Sequence, residues 1–278
     1  MEGTFLMDDE FKLIVPAMLR PRKSLSAFID SNTQYLPTFK SLYLTDRSLT
    51  GENYINPIFA CVPLKNAGFE IFLEIASENH SRKTINSFIL GALMNEIYNI
   101  VIFDDDVNNI DETLKILDDW DKQLIDFSLE HGKELEGPDQ KIKIYLNLGD
   151  SVFNIKEDFF EKIHLAGING LFIAENYDPI KLMNIFNYMK EYSLEAFNTA
   201  TLFYKIRQLK VAMKFNPNLD LPPSFMKRLE SADDPIQEGI EYFQEFVDFT
   251  KSFESNGILI ANPVKQVMKD LHEVLGSL

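Results

Sequence analysis

The sequence predicts an α/β protein, a (β/α)8 TIM barrel formed by a single domain over residues 1–278. Three observations support this fold class. Eight short apolar segments alternate with longer segments whose apolar residues recur at three-and-four spacing, as amphipathic helices require. Several short segments are continuous apolar runs, which is typical of parallel strands covered on both faces. The length also suits a barrel, since such domains have roughly 250 residues.

The eight predicted strands are evenly distributed along the chain. The seventh has the weakest pattern, because residues 194–198 could equally extend a helix, and an open doubly wound sheet is the alternative fold. Residues 216–230 form an additional loop and short helix before the last strand. The predicted strands are Lys12–Ala17, Ser41–Thr45, Glu70–Ala76, Asn99–Phe103, Lys141–Asn147, Gly170–Ala174, Leu194–Asn198 and Gly257–Ala261.

Helix ends carry recognisable signals. Asn154 and Asp178 are predicted N-caps, and the second precedes a proline at the first helical position. Gly68, Gly167 and Gly257 each stand between a helix and a strand, where a left-handed glycine commonly ends the helix.

Composition excludes several classes of partner. The net charge of −16 argues against a nucleic acid or an anionic membrane, because both require a basic face. Cys61 lies in an apolar run and is predicted to be a buried, inert thiol. No window is apolar enough to span a bilayer, and the first residues lack the pattern of a signal peptide, so the expected location is the cytoplasm.

Polar residues at the carboxyl ends of the strands are the candidate site, because barrels bind ligands there. His80 follows the third strand and is either an acid, base or ligand contact or a surface histidine. Residues 104–106 are three aspartates after the fourth strand, which are read as an acid, a solvated acidic loop or a site for a hard cation. Asn147 and Glu175 end the fifth and sixth strands and are predicted to contact substrate.

A basic cluster stands out in this acidic chain. Arg20 and Arg22, with Lys23, fall in the first βα loop and could bind carboxylate or phosphate, or else pair with the acidic surface. No histidine or cysteine pair has the spacing of zinc ligands, so no metal is predicted.

Several motifs resemble one known family. They occur in residues 42–46, 68–77, 90–101, 162–169 and 221–229, in an order that covers nearly the whole chain. Together they resemble the catalytic domain of methylenetetrahydrofolate reductase, a flavin-binding barrel. The resemblance implies flavin-dependent reduction of 5,10-methylenetetrahydrofolate to 5-methyltetrahydrofolate in one-carbon metabolism. It also implies FAD as the cofactor, NAD(P)H as a candidate electron donor and a tetrahydrofolate-type molecule as substrate.

The resemblance, combined with the strand-end residues, gives a set of expected roles. Catalysis is expected from Asp106 and His80. Cofactor contacts are expected from Thr45, Asp46, Glu74, Ser77, Asp106 and Lys162, and substrate contacts from Arg20, Arg22, Glu175 and Asn147.

The sequence departs from the family at two chemical positions. Ala17 stands where the family has its proton-donating glutamate, and Ala174 stands where it has the glutamine that reads the pterin. Three alternatives therefore stay open: a diverged relative that binds a folate or pterin for methyl transfer, a flavin-free subunit of a complex, and a structural barrel. A homo-oligomer or a partner subunit is compatible with each of them.

Overall fold

Eight parallel strands close into a barrel, each paired with the next, and β1 also pairs with β8. The computed structural model describes residues 11–17, 25–36, 38–45, 57–77, 80–105, 111, 114–115, 142–216, 219–261, 269 and 272. The predicted (β/α)8 fold is confirmed, and the open sheet is wrong. The strands are β1 Lys12–Pro16, β2 Ser41–Thr45, β3 Glu70–Ala76, β4 Asn99–Phe103, β5 Lys143–Asn147, β6 Gly170–Ile173, β7 Glu195–Ala200 and β8 Gly257–Ile260.

The helices surround this barrel. Within the described ranges they are α1 Leu25–Asn32, α2 Pro57–Asn66, α3 Arg82–Met94, α4 Glu157–Leu165, α5 Pro179–Glu191, α6 Ile206–Phe215, α7 Pro223–Ser231 and α8 Pro235–Ser252. Short 3-10 turns occupy Thr33–Tyr35 and Gly149–Asn154. The predicted extra helix before the last strand is α7. No helix in the described part of the chain has the length and apolar composition that crossing a bilayer requires.

The barrel interior is filled rather than open. Each strand contributes one inward residue to a buried layer, and several of these residues are aromatic. Phe172 and Phe197 stack with their ring centroids 4.9 Å apart, and Phe72 meets Phe197 edge-on at 5.4 Å. Because this layer blocks the interior, chemistry is confined to the two ends of the barrel. The layer consists of Ile14, Tyr43, Phe72, Val101, Tyr145, Phe172, Phe197 and Leu259.

A second apolar core fills the space between the sheet and the helices. In α8, the predicted three-and-four stripe faces this core, with Ile240, Phe243, Phe246 and Val247 buried. Cys61 in α2 is 2% exposed, and burial raises the pKa of its thiol to about 12. The prediction of a buried, inert cysteine is confirmed.

The predicted helix ends are correct at three of five positions. Asp178 caps α5 by accepting the Ile180 N–H at 2.9 Å, and Gly68 and Gly167 are left-handed, with φ of 97° and 76°. The Asn154 cap is wrong, because Asn154 ends a 3-10 turn and α4 begins later, at Glu157. The Gly257 stop is also wrong, because this residue begins β8, and the left-handed residue there is Glu254, with φ of 61°.

The seventh strand differs most from its prediction. It begins one residue later, at Glu195, and continues to Ala200. Its central residue, Asn198, pairs with Ile173 of β6 on one side and Ile258 of β8 on the other. The helical alternative for this segment is therefore wrong, because pairing on both sides fixes an extended backbone.

Candidate functional site

Glu74 is the centre of a polar cluster at the carboxyl end of the barrel. It is 0% exposed and accepts hydrogen bonds from three side chains. The Tyr43 hydroxyl and the Asn147 amide donate to Oε2, the second at 2.8 Å, and the Thr45 hydroxyl donates to Oε1 at 2.5 Å. Tyr43, Thr45, Glu74 and Asn147 are called the Glu74 cluster below. Their convergence satisfies a carboxylate that would otherwise be costly to bury.

Strand register brings the cluster together. Thr45 of β2 lies directly beside Glu74 of β3, and Tyr43 lies two residues earlier on the same face of β2. Asn147 ends β5 and reaches the same carboxylate from two strands away. Its Oδ1 accepts the Gly149 N–H at 3.2 Å, which fixes the orientation of the amide. Thr45 and Asn147 are partly exposed, so they form the accessible surface above the buried Glu74.

Glu175 forms a second polar group, where β6 and β7 end. Its Oε1 accepts the Thr201 N–H and the Tyr177 O–H, both at 2.8 Å. Burial raises the pKa of Glu175, and the negative charge of Asp150 adds to the rise. Hydrogen bonding from the Thr201 and Tyr177 side chains and from the Thr201 backbone opposes this rise.

Tyr177 holds this second group in place. Its ring packs against Phe246 of α8 at 4.8 Å, and its hydroxyl also lies 3.1 Å from the Thr201 carbonyl oxygen. Burial, followed by the charge of Glu175, raises the pKa of Tyr177 well above its usual range. The phenol therefore stays protonated and acts as a donor to Glu175.

Two other predicted residues, His80 and Lys162, make contacts on the surrounding helices and loops. His80 packs edge-on against Phe88 of α3 at 4.9 Å, and its backbone N–H donates to the Ser77 carbonyl at 3.2 Å. Lys162 lies on α4 and pairs with Asp111 on the exposed exterior. Four predicted residues lie outside the described residues, namely Arg20, Arg22, Asp46 and Asp106.

Sequence reasoning missed three residues of the two groups. Tyr43 could have been found, because period-two alternation places it on the same face of β2 as the predicted Thr45. Tyr177 and Thr201 gave no local signal. Tyr177 is only two residues from Glu175, but Thr201, which contacts both residues, lies on a loop that is 24 residues from Tyr177 in sequence.

Glu175 should make the stability of the fold depend on pH. Its folded pKa is raised, so its favourable contribution is complete below the unfolded carboxyl's pKa of about 4.3 and is lost as pH rises through the folded value. Glu175→Gln carries no titrating proton. We expect it to be more stable than the wild type near pH 8, and to lose this advantage near pH 4.

Urea unfolding at both pH values measures this difference. Glu161→Gln is the matched control, since it removes the same charge from an exposed position on α4. An equal gain in both variants would attribute the effect to the acidic net charge of the chain rather than to burial of Glu175.

The predicted FAD carries a pyrophosphate, which the carboxyl-end mouth would have to hold. That group requires cations or converging backbone N–H donors. Among the described residues at these strand ends, the charged side chains are carboxylates, from Glu74, Asp104, Asp105, Asp150 and Glu175. The predicted arginines lie outside the described residues, so FAD and NAD(P)H binding stay predictions.

The first two aspartates after β4, Asp104 and Asp105, differ in their exposure to solvent. Asp104 is buried and donates its backbone N–H to the Asn147 carbonyl, whereas Asp105 is exposed. Across the ranges that the structure describes, no three histidine, cysteine, aspartate or glutamate side chains are grouped to hold a metal ion.

Comparison with known proteins identifies the fold. No family model and no curated protein matches this chain. An aldolase, QR15, superposes with a TM-score of 0.50 at 8% identity, covering 97% of this chain and 100% of that chain. An oxaloacetate acetylhydrolase in complex with its product oxalate gives 0.53 at 9% identity, covering 90% and 75%. At these identities the likeness shows a shared (β/α)8 barrel.

The predicted reductase function is contradicted by these neighbours, which are an aldolase and an acetylhydrolase rather than flavin reductases. The motifs behind that prediction lie mainly in strands and helix ends, which any barrel needs. The two chemical positions, Ala17 and Ala174, already departed from the family. The diverged folate-binding alternative gains no specific support. Family membership, a tetrahydrofolate-type partner and the assembly state stay predictions.

Proposed function

We propose that this chain is a lyase-type enzyme that acts on a small 2-oxo acid at the carboxyl-end mouth of the barrel. The single observation that carries the proposal is Glu175, a largely buried carboxylate at the end of β6 whose Oε1 is held by the Thr201 N–H and the Tyr177 O–H. The names of the two structural neighbours support the same class, since one is an aldolase and the other was solved with oxalate.

Glu175 would act as the general base. Breaking or forming a carbon–carbon bond beside a carbonyl requires a proton to move at the adjacent carbon. The Glu175 carboxylate takes that proton, and the electron pair of the C–H bond becomes the enolate of the oxo acid. The raised pKa suits this role, because a carboxylate that binds a proton more tightly is a stronger base near neutral pH.

The Glu74 cluster would provide the polar surface beside the base. Glu74 holds the side chains of Thr45 and Asn147 in fixed rotamers through its two oxygens. Both side chains are therefore already ordered before a ligand binds. This preorganisation lowers the entropic cost of positioning a small polar substrate.

Deuterium exchange tests the proposal without knowledge of the full reaction. In D2O, an enzyme that removes the proton beside the carbonyl of pyruvate or 2-oxobutyrate replaces it with deuterium. We expect the wild type to accelerate loss of the corresponding ¹H NMR signal. We expect Glu175→Gln to slow that loss by about 10²-fold or more, because general base catalysis contributes at least this factor.

Glu161→Gln, on the exterior of α4, should exchange at the wild-type rate. A wild-type rate no faster than buffer for both oxo acids would overturn the proposal. So would a Glu175→Gln rate equal to that of the wild type.

A further inference from the structure

A second pocket lies at the opposite end of the barrel. It has a volume of about 460 Å³ and opens where the first residues of β1, β3, β4 and β5 meet. We call it the amino-end pocket, and its charged lining consists of Lys12, Lys40, Lys65, Glu70, Glu96 and Lys143. Glu70 in this pocket and Glu74 in the cluster lie four residues apart on β3, so about 13 Å of strand separates them.

The lining is basic, although the chain as a whole is acidic. Four lysines face two glutamates here, whereas the chain carries a net charge of −16. Lys12 pairs with Glu70 at 2.6 Å, Lys65 pairs with Glu96, and Lys143 pairs with Glu195, which lies outside the lining, at 2.7 Å. Lys40 has no acidic partner among the residues that the structure describes. It gives the pocket an unbalanced positive charge.

Glu70 fixes the base of the pocket. Its two oxygens accept hydrogen bonds from Lys12 and Ser41, both at 2.6 Å, and from Asn99 at 3.1 Å. Burial alone would raise the pKa of Glu70, but the hydrogen bonds from Lys12, Ser41 and Asn99 outweigh it and hold the pKa below its usual range. Lys12 is thereby held beside an ionised partner and uses one of its three N–H donors on it.

Donor capacity remains on three ammonium groups. Lys12 retains two N–H groups after its bond to Glu70. Lys65 donates to Glu96 and, at 3.4 Å, to the Asn95 carbonyl, and Lys40 donates to no described residue. Phe69 and Tyr98 add apolar and aromatic surface between these groups. The lining thus combines several cationic donors with a small apolar wall.

We propose that the amino-end pocket binds a small multivalent oxyanion, whose carboxylate or phosphate oxygens contact Lys12, Lys40 and Lys65. Lysine suits such a ligand, because its ammonium is a compact point charge that meets an oxygen from many directions. The site is independent of the candidate active site, so occupancy here leaves the mouth of the barrel open.

Thermal unfolding with citrate or inorganic phosphate tests the site. Each anion is compared with sodium chloride at matched ionic strength, because screening alone stabilises an acidic protein. We expect a higher Tm with the oxyanion, since a ligand that binds only the folded state stabilises it. Citrate alone would identify carboxylate recognition, phosphate alone would identify phosphate recognition, and a rise with both supports the shared oxyanion chemistry.

The variant Lys40→Gln removes the unbalanced charge without breaking an ion pair of the described residues. We expect its citrate dissociation constant, measured by isothermal titration, to rise about tenfold. Lys181→Gln is the control and should bind as the wild type does, because Lys181 pairs with Asp220 on the exterior of α5. No Tm rise over chloride, or equal affinity in Lys40→Gln and the wild type, would overturn the proposal.

Discussion

Glu74→Ala is expected to destabilise the fold by about 3–5 kcal/mol. The change removes the acceptor for Tyr43, Thr45 and Asn147 at a position that is 0% exposed. The buried Tyr43 hydroxyl loses this acceptor at a cost of about 1–3 kcal/mol, the partly exposed Thr45 and Asn147 lose less because water can reach them, and the lost side-chain volume adds a cavity. Urea unfolding of the wild type and the variant measures the difference.

Glu74→Gln is the matched comparison. Its amide keeps the volume, its oxygen accepts from Tyr43 and Asn147, and its nitrogen donates to the Thr45 hydroxyl, which can rotate to accept. We expect this variant to lose about 1.5 kcal/mol or less. If the two variants lost the same stability, the charge of Glu74 rather than its hydrogen bonding would stabilise the cluster.

Gly170→Ala is expected to cost about 3 kcal/mol or more. A Cβ at this position would lie 2.0 Å from the carbonyl oxygen of Glu195, its partner in the adjacent strand. Since the obstruction is backbone, relief requires β6 and β7 to separate at their first residues. Denaturant unfolding should show a lower midpoint with an unchanged slope.

The control for Gly170 is Gly91→Ala. Gly91 lies inside α3, and a Cβ there would meet only the Ile58 side chain at 3.9 Å. We expect this substitution to stabilise the fold by about 0.5–1 kcal/mol, because alanine favours the helix. Equal losses at both positions would contradict a steric cause at Gly170.

The barrel could be predicted because its strands carry strong local patterns. The bounds of β2, β3 and β4 match their predictions residue for residue. The predicted bounds of the seventh strand ended two residues too early. Thr199 and Ala200 lack an apolar pattern, and it is their pairing with β8 that extends the strand. Local sequence thus determines where most strands lie, whereas sheet pairing determines where the seventh one ends.

The candidate site was only partly predictable. Thr45, Glu74 and Asn147 were found because a barrel brings strand ends together, whichever loops connect them. The role of Tyr177 was not found, because it depends on a contact with Thr201 that no local pattern records. The reductase function failed for a third reason: motifs that specify a scaffold do not specify its chemistry.

The thiol of Cys61 can be used to measure local separation of α2 from the sheet. The chain holds one cysteine, and its thiol is enclosed in α2 against the sheet and protonated at ordinary pH. A soluble alkylating reagent therefore meets no nucleophile while α2 stays docked. The rate at which the reagent modifies the intact protein therefore reports how often α2 separates locally from the barrel.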